Sequence, residues 1–419
     1  MSAQRKVMIR ARIDADTLHM TVLFLLFVPI MEPEGIKAIF PFLGNLIWGF
    51  YIRTFAAGII SIVFLFVTIK RRRIDMPIVC ILFYVVASAM ISIIKLHSLE
   101  GWFSRYLCII CAAFLVAIYQ PNLSRLIRVV TIYLKILIII NFVLVMLYPN
   151  GIYASNAYEH YNWLLGYKSS LQYYVLPAIT FSWIDAVYSR KKLKITNFYI
   201  FFGLCIAEAA LSRNAMLLIG LSLEAICIVM RVEKRTALLN GATYFLISFM
   251  LNVVILFFAQ IMLNVQFIRL ILIRLGKNMT FTGRNNIIWP NAIEAIKKFP
   301  VFGYGVLTSS ENIRMLGRGR LGVSHAHNHI LQIILDGGFF LFAIYLVFVV
   351  IVVYRMMRYK HLRSTQILGM SIFVLLVMST VEIFTRNSGT GVWMLFILCA
   401  MTKDLDSQLN KAFPPPAAG

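Results

Sequence analysis

Cysteine is sparse in this sequence and badly placed for cross-linking. The six cysteines (Cys80, Cys108, Cys111, Cys205, Cys227 and Cys399) all fall inside hydrophobic runs. None has metal-ligand spacing to a histidine, and none lies in a loop of the kind where disulfides form. They read as small core residues. The sequence also lacks an internal repeat, and its one low-complexity tract is the Pro-Pro-Pro-Ala-Ala tail. That removes the internal symmetry common in transporters.

Apolar residues are what the chain has in excess. They make up 60% of its 419 residues, against about 45–50% in soluble domains. Runs long enough to span a bilayer, about 20 residues each, recur along the whole length. The expected fold is an all-α integral membrane protein of about 12 transmembrane helices. It carries one large extracytoplasmic loop containing short helices.

The formal net charge of +23 invites a nucleic-acid reading. The basic runs argue against it. They fall at 70–73, 125–128, 190–194, 231–235 and 355–363, in every second loop between hydrophobic spans. Cytoplasmic loops carry such an excess of Lys and Arg, so the pattern reports topology, and no nucleic-acid partner is expected. With these loops inside, the spans fall near 18–31, 51–69, 76–94, 102–119, 129–148, 171–188, 195–210, 214–230, 242–264, 330–354, 365–383 and 390–402. Both termini are then cytoplasmic. The first span follows a basic head and lacks a small-residue cleavage site, so an uncleaved helix is expected. Residues 36–50 are apolar but hold two glycines and a proline, and they read as a re-entrant or interfacial piece.

The organisation expected is 1–264 for helices 1–9, 265–329 for a large extracytoplasmic catalytic loop, 330–403 for helices 10–12, and 404–419 for a cytoplasmic tail. The large loop holds Arg269, Arg274, Lys277, Arg284, Lys297, Lys298, Arg314, Arg318 and Arg320, against the acids Glu294 and Glu311. A net +7 on the face that topology leaves less basic points to an anionic ligand. Within it, Trp289, Ala292, Ile293 and Ile296 share one face at helical spacing. Pro290 is tolerable in the first turn and Phe299-Pro300 ends the helix.

Three polar groups share the outer boundary. Ser212-Arg213-Asn214 is pinched between two spans, where an arginine usually has a partner or a ligand. Snorkelling to headgroups, or a salt bridge to Glu208, would also explain Arg213. Thr282-Gly283-Arg284 stands at the mouth of the amphipathic helix, and a guanidinium there can grip phosphate oxygens in pairs. A plain turn with a solvated arginine is the alternative. His325-Ala326-His327-Asn328-His329 gathers three of the seven histidines just before a span. Histidine suits proton transfer near neutral pH and is also a metal ligand. The loop has no Cys and only two carboxylates, so a third zinc ligand is poorly supplied and no metal is expected.

The ordered series Thr282-Gly283-Arg284, Trp289, Pro300, Gly303-Tyr304-Gly305, His325-Ala326-His327-Asn328, Leu331-Gln332 and Asp336-Gly337-Gly338 resembles the O-antigen ligase and polymerase family. Gly166-Tyr167-Lys168-Ser169-Ser170 resembles that family's Gly-x-Lys-Asn segment, with Ser169 in place of Asn, and Ser212-Arg213 its Ser-Arg turn. Leu341 stands where the ligase pattern has a small or hydroxylated residue, a departure that favours polymerase over ligase.

The resemblance implies a metal-independent glycosyltransferase without cofactor, in the bacterial inner membrane, with its site on the extracytoplasmic face. Its donor would be an undecaprenyl-pyrophosphate-linked glycan. Its acceptor would be a second lipid-linked repeat unit for a polymerase, or lipopolysaccharide core for a ligase. Membrane lipids and a chain-length regulator are the further partners. The implied catalytic set is His327, His325, Arg284 and Arg213; Lys168, Trp289, Tyr304, Asn328 and Arg320 are substrate-binding candidates. A lipid-linked sugar flippase or transporter is the alternative of a different class.

Overall fold

The structure is a computed structural model that describes residues 3–154, 161–229, 240–263, 266, 270, 284–317 and 323–413. In chain order its helices are α1 (Ala3–Ile30), α2 (Ile36–Ile39), α3 (Pro41–Trp48), α4 (Phe50–Arg71), α5 (Met76–Leu96), α6 (Glu100–Ile118), α7 (Leu123–Leu147), α8 (Gln172–Ser189), α9 (Lys192–Leu211), α10 (Ala215–Val229) and α11 (Gly241–Leu263). They continue as α12 (Trp289–Lys298), α13 (Ser309–Leu316), α14 (His329–Arg358), α15 (Arg363–Met378), α16 (Thr390–Ala400) and α17 (Thr402–Ala412). Among the described residues the only strands are the two-residue β1 (Asn162–Trp163) and β2 (Gly166–Tyr167).

Six stretches among the described residues are long and apolar enough to cross a membrane. They are Pro41–Arg71, Met76–Leu96, Glu100–Ile118, Gln120–Leu147, Lys192–Leu211 and His329–Arg358. Five shorter apolar helices accompany them: Thr17–Ile30, Ala215–Val229, Gly241–Leu256, Arg363–Met378 and Thr390–Ala400. The chain is therefore an all-α membrane protein. A helix stands at each of the twelve expected places, and six stretches meet the length and composition of a span. The segment set apart as interfacial breaks into α2 and α3, and α3 runs on with α4 as one 31-residue apolar stretch interrupted at Gly49.

The chain forms two compact units. The first contains residues 1–73, 114–218 and 404–419. Here α7 packs against α1, α8 and α9. The α8 helix is buried on nearly all sides, as an apolar helix at a bundle centre should be. Glu32, at the end of α1, is neutralised by Lys37 and Arg53, each at 2.7 Å.

The second unit contains residues 74–113 and 219–403. Its centre is α14, which packs on α5, α11, α12 and α16. That helix is broken at Gly337–Gly338. A Cβ at Gly338 (φ +65°) would lie 2.1 Å from the Val301 carbonyl oxygen, and one at Gly303 (φ +61°) 2.5 Å from that of Leu335. Only glycine fits this approach. The backbone groups freed by the break bond across it: Tyr304 N to Leu335 O, Gly305 N to Asp336 O, Phe339 N to Pro300 O and Phe340 N to Val301 O, all at 2.8–3.1 Å. The two glycine motifs of the sequence are thus the two halves of one junction. A broken helix inside an apolar bundle needs this satisfaction, since no lipid can supply it.

Asp336 lies beside the break. Arg105 of α6 pairs with it at 3.2 Å and donates to Leu307 O at 3.0 Å, and Gln332 donates to it at 2.8 Å. A buried carboxylate is tolerated only when paired and hydrogen-bonded in this way.

Candidate active site

The second unit brings Arg284, His325 and His327 together. A π-helical turn, Arg284–Ile288, leads directly into α12. The inner face of α12 buries Trp289, Ala292 and Ala295 against Leu316, Ala326, Leu331 and Leu335. Each fully buried Leu in such a cluster contributes about 1.5–3 kcal/mol. Trp289 Nε1 donates to Ala326 O at 3.0 Å, and Ala326 N donates to Gln332 Oε1 at 2.8 Å. These two bonds clamp the alanine between the histidines from both sides.

His327 has a left-handed backbone (φ 49°), uncommon for a residue with a Cβ. Its backbone N–H donates to Nδ1 of His325 at 3.2 Å, and the two rings lie 4.0 Å apart between centroids. Asn328 then caps α14, its Oδ1 accepting from Leu331 N, while its Nδ2 donates to Asn252 Oδ1 at 2.8 Å and Thr380 O at 3.0 Å. The bonds of Asn328 fix the chain directly after His327.

A carboxylate that the sequence reading did not include completes the group. Glu382 Oε1 lies 3.4 Å from Nε2 of His325, and its Oε2 lies 3.7 Å from Nδ1 of His327. Glu382 and His325 are buried, whereas His327 and Arg284 are half-buried. The span expected to run to 383 ends as a helix at Met378, so Glu382 belongs to the following loop. The signal was present: a carboxylate at the end of an apolar run, with Arg386 close by, needs a partner.

Arg284 Nη2 stands 3.3 Å from Nδ1 of His327. Burial lowers the pKa of His327, and the Arg284 charge lowers it further, outweighing the pull of Glu382. Burial and then the neighbouring His327 hold His325 well below its ordinary value. Burial alone would raise Glu382, but its coupling to His325 and His327, each of which holds its charge only when protonated, and the Arg386 charge more than offset it and lower the carboxyl overall. At neutral pH the group is therefore two neutral imidazoles on one carboxylate.

The proton positions follow from these contacts. Nδ1 of His325 accepts a backbone N–H, so its Nε2 carries the proton that faces Glu382. For His327 two states compete. Arg284 can only donate, which leaves Nδ1 without a proton, whereas a hydrogen bond to Glu382 needs the proton on Nδ1.

Contrary to the expectation that a third metal ligand is poorly supplied, Glu382 offers one beside the two histidines. His325, His327 and Glu382 offer ligand atoms within 4.8 Å of one another. Glu382 comes from a different loop, which is why the large loop alone did not reveal it. Against a cation stand the charges of Arg284 and Arg386, which act on the same imidazoles.

Arg213 and Lys168 lie in the first unit, and they share Tyr161. Arg213 also has a left-handed backbone (φ 55°) and donates to the Tyr161 hydroxyl at 2.8 Å, with its guanidinium 5.4 Å from the ring centre. Lys168 Nζ lies 4.9 Å from the same ring centre. Asn214 Nδ2 donates to Lys168 O, tying the two loops together. Glu208, the alternative partner for Arg213, instead accepts from Asn141 Nδ2 at 2.6 Å.

Of the other candidates, Tyr304 donates to Ala295 O at 3.2 Å and, with Trp289 and Asn328, has its polar atoms engaged within the fold. Arg320, Thr282 and Gly283 lie outside the described residues.

The fold and this site define a class: a helical membrane protein that sets an arginine beside a histidine pair on a buried carboxylate. Residues 198–346, about a third of the chain, match the model of the O-antigen ligase family. Its members are polymerase- or ligase-type, glycosyltransferase-like enzymes of polysaccharide biosynthesis. The matched segment contains Arg213, Arg284, His325 and His327; Lys168 and Glu382 lie outside it. No curated protein matches the chain.

Proposed function

We propose that the chain polymerises undecaprenyl-pyrophosphate-linked oligosaccharide repeat units by glycosyl transfer outside the cytoplasmic membrane. The observation that carries this reading is the meeting of Arg284 with the His327–Glu382 pair. A sugar on pyrophosphate already has a good leaving group, so the reaction needs no acid to protonate it. Negative charge develops on the departing pyrophosphate, where a preorganised guanidinium stabilises it. The acceptor hydroxyl must be oriented and its proton taken, which suits a neutral imidazole.

In the step we assign, the acceptor oxygen bonds to the anomeric carbon as the bond from that carbon to the pyrophosphate oxygen breaks. The hydroxyl proton passes to Nε2 of His327, and the lipid pyrophosphate leaves as an anion beside Arg284. With Arg284 donating to Nδ1, Nε2 carries the proton and cannot serve as the base. Binding of the pyrophosphate draws Arg284 away. Nδ1 then holds the proton toward Glu382, and Nε2 is free as a base. His325 fixes the other oxygen of Glu382 and so positions the carboxylate.

Arg213 and Lys168 are assigned to binding anionic parts of the lipid-linked substrates, on their charge and their common Tyr161. Trp289, Tyr304 and Asn328 are assigned to holding the backbone of the site, because their polar atoms are engaged. Residues 265–329 act in this proposal as the extracytoplasmic catalytic loop, in the bacterial inner membrane. The reaction is taken as metal-independent, because Arg284 and Arg386 oppose a cation at the histidines. Loss of activity with a chelator, restored by a divalent ion, would refute that.

Polymerase is favoured over ligase by Leu341. Its side chain is buried and fills the space beside Gly337, where a Cβ would lie 2.4 Å from its own Cβ. Purified protein given lipid-linked repeat units and lipid A core decides the acceptor. Longer glycan on the carrier supports the proposal, and glycan on lipid A core overturns it in favour of a ligase.

A further inference from the structure

The corner between α12 and the break in α14 exposes a run of large apolar side chains. Phe299, Val301 and Phe302 are 47%, 56% and 49% exposed, and Phe339 and Phe340 are 54% and 41% exposed. They form one patch, because Phe339 N and Phe340 N bond to the carbonyls of Pro300 and Val301. The rings of Phe302 and Phe340 lie 5.5 Å apart. A contiguous apolar patch of this kind marks an interaction surface.

Lysines rim the patch. Lys297 and Lys298 are exposed in the last turn of α12. Lys95, at the end of α5, sits with Nζ 5.0 Å from the centre of the Phe299 ring. Glu294, one turn earlier on α12, is the acid on that helix, and the rim stays net positive. The patch also continues into the exposed Leu346, Val347 and Val350 of α14, a helix of spanning length and hydropathy. Aromatic side chains bordered by lysines and continuous with a spanning surface have the chemistry of the headgroup boundary.

We propose that residues 297–302 insert into the lipid headgroup layer, with Lys95, Lys297 and Lys298 binding the phosphates of anionic lipids. The occupant is a bilayer leaflet rather than a partner protein, because the patch is continuous with the spanning face of α14. The α12 helix, about 15 Å long, connects this corner to the turn that carries Arg284. Leaflet contact therefore sets the height of that arginine relative to the headgroups. This last consequence rests on the function proposed above; the insertion itself does not.

The test uses the full-length protein in vesicles. A polarity-sensitive fluorophore is attached at Phe302→Cys and, as a control, at Ser310→Cys, an exposed position on α13, and the unsubstituted chain labelled in parallel gives the native-cysteine background. The expected result is blue-shifted emission and loss of intensity to lipids quenched near the headgroup for Phe302→Cys, with neither effect at Ser310→Cys. Quenching at Phe302→Cys should deepen when phosphatidylglycerol replaces neutral lipid. That gain should be lost in Lys297→Gln/Lys298→Gln and at high salt. Emission from Phe302→Cys as water-like as the control overturns the proposal, as does shielding that appears only when a second protein is added. Equal quenching in neutral and anionic vesicles overturns the phosphate contacts. An inserted corner in a protein that makes no polymer would remove the proposed activity and leave this inference standing.

Discussion

Arg284 and Glu382 compete for the same nitrogen of His327: Nη2 lies 3.3 Å from Nδ1 on one side and Oε2 lies 3.7 Å from it on the other. The two charges also pull its proton affinity in opposite directions. Arg284 lowers it and Glu382 raises it. Charge-changing variants at the two positions should therefore move the pH profile in opposite senses.

Wild-type turnover should stay high to more acidic pH than an ordinary histidine base allows, since burial and Arg284 keep His327 deprotonated below about 6.5. Arg284→Ala removes a repelling charge, so the acid limb of kcat/KM should move to higher pH. Glu382→Gln removes an attracting charge and should move it lower. Initial rates across pH with a lipid-linked donor read both shifts. Shifts of the same sign would contradict this electrostatic arrangement.

The same depressed histidines tie stability to pH. Their folded pKa values lie below the unfolded value, so the unfolded chain binds more protons once pH falls below about 6.5. Stability contributed by the neutral pair is present above that pH and is lost as pH falls toward the folded values. Thermal unfolding in detergent should show the loss in the wild type, with a smaller loss in His325→Gln/His327→Gln.

Glu382→Gln should lower kcat at its pH optimum by at least about tenfold, with about 10⁴-fold as the upper bound set by loss of the carboxylate in a catalytic triad. The amide is nearly isosteric, so folded yield and donor KM should change little. A large KM effect with unchanged kcat would assign Glu382 to substrate binding instead.

Arg105→Met should cost about 3–5 kcal/mol, because it leaves Asp336 as an unpaired buried charge. Arg105→Met with Asp336→Leu should recover much of that loss. Gly338→Ala should reduce folded yield sharply, since its Cβ meets the Val301 carbonyl at 2.1 Å on a left-handed backbone. Unfolding midpoints and monodisperse yield check all three.

Much of this architecture is legible in the residues. Hydropathy gives the membrane class, and the helical spacing of Trp289, Ala292, Ile293 and Ile296 gives α12 with its proline start and Phe299-Pro300 end. Clustering marks His325 and His327. Glu382 is hidden by local signals: Val381 and Ile383 extend the apolar run of α15, while the chain leaves the helix at Met378. The mates of the two glycine motifs are also hidden, because Gly303 and Gly338 meet through tertiary contact and not through spacing. Tyr161 joins Arg213 to Lys168 for the same kind of reason, across loops distant in the chain.

The most direct test of the central claim is turnover of a lipid-linked repeat unit by purified Arg284→Ala, His327→Ala and Arg213→Ala proteins reconstituted in lipid. Wild-type protein should form longer carrier-linked glycan and release lipid pyrophosphate. Losses of about 10²–10³-fold are expected for Arg284→Ala and of about 10²–10⁴-fold for His327→Ala, with Arg213→Ala also impaired. Near-normal polymer from all three variants would contradict the account.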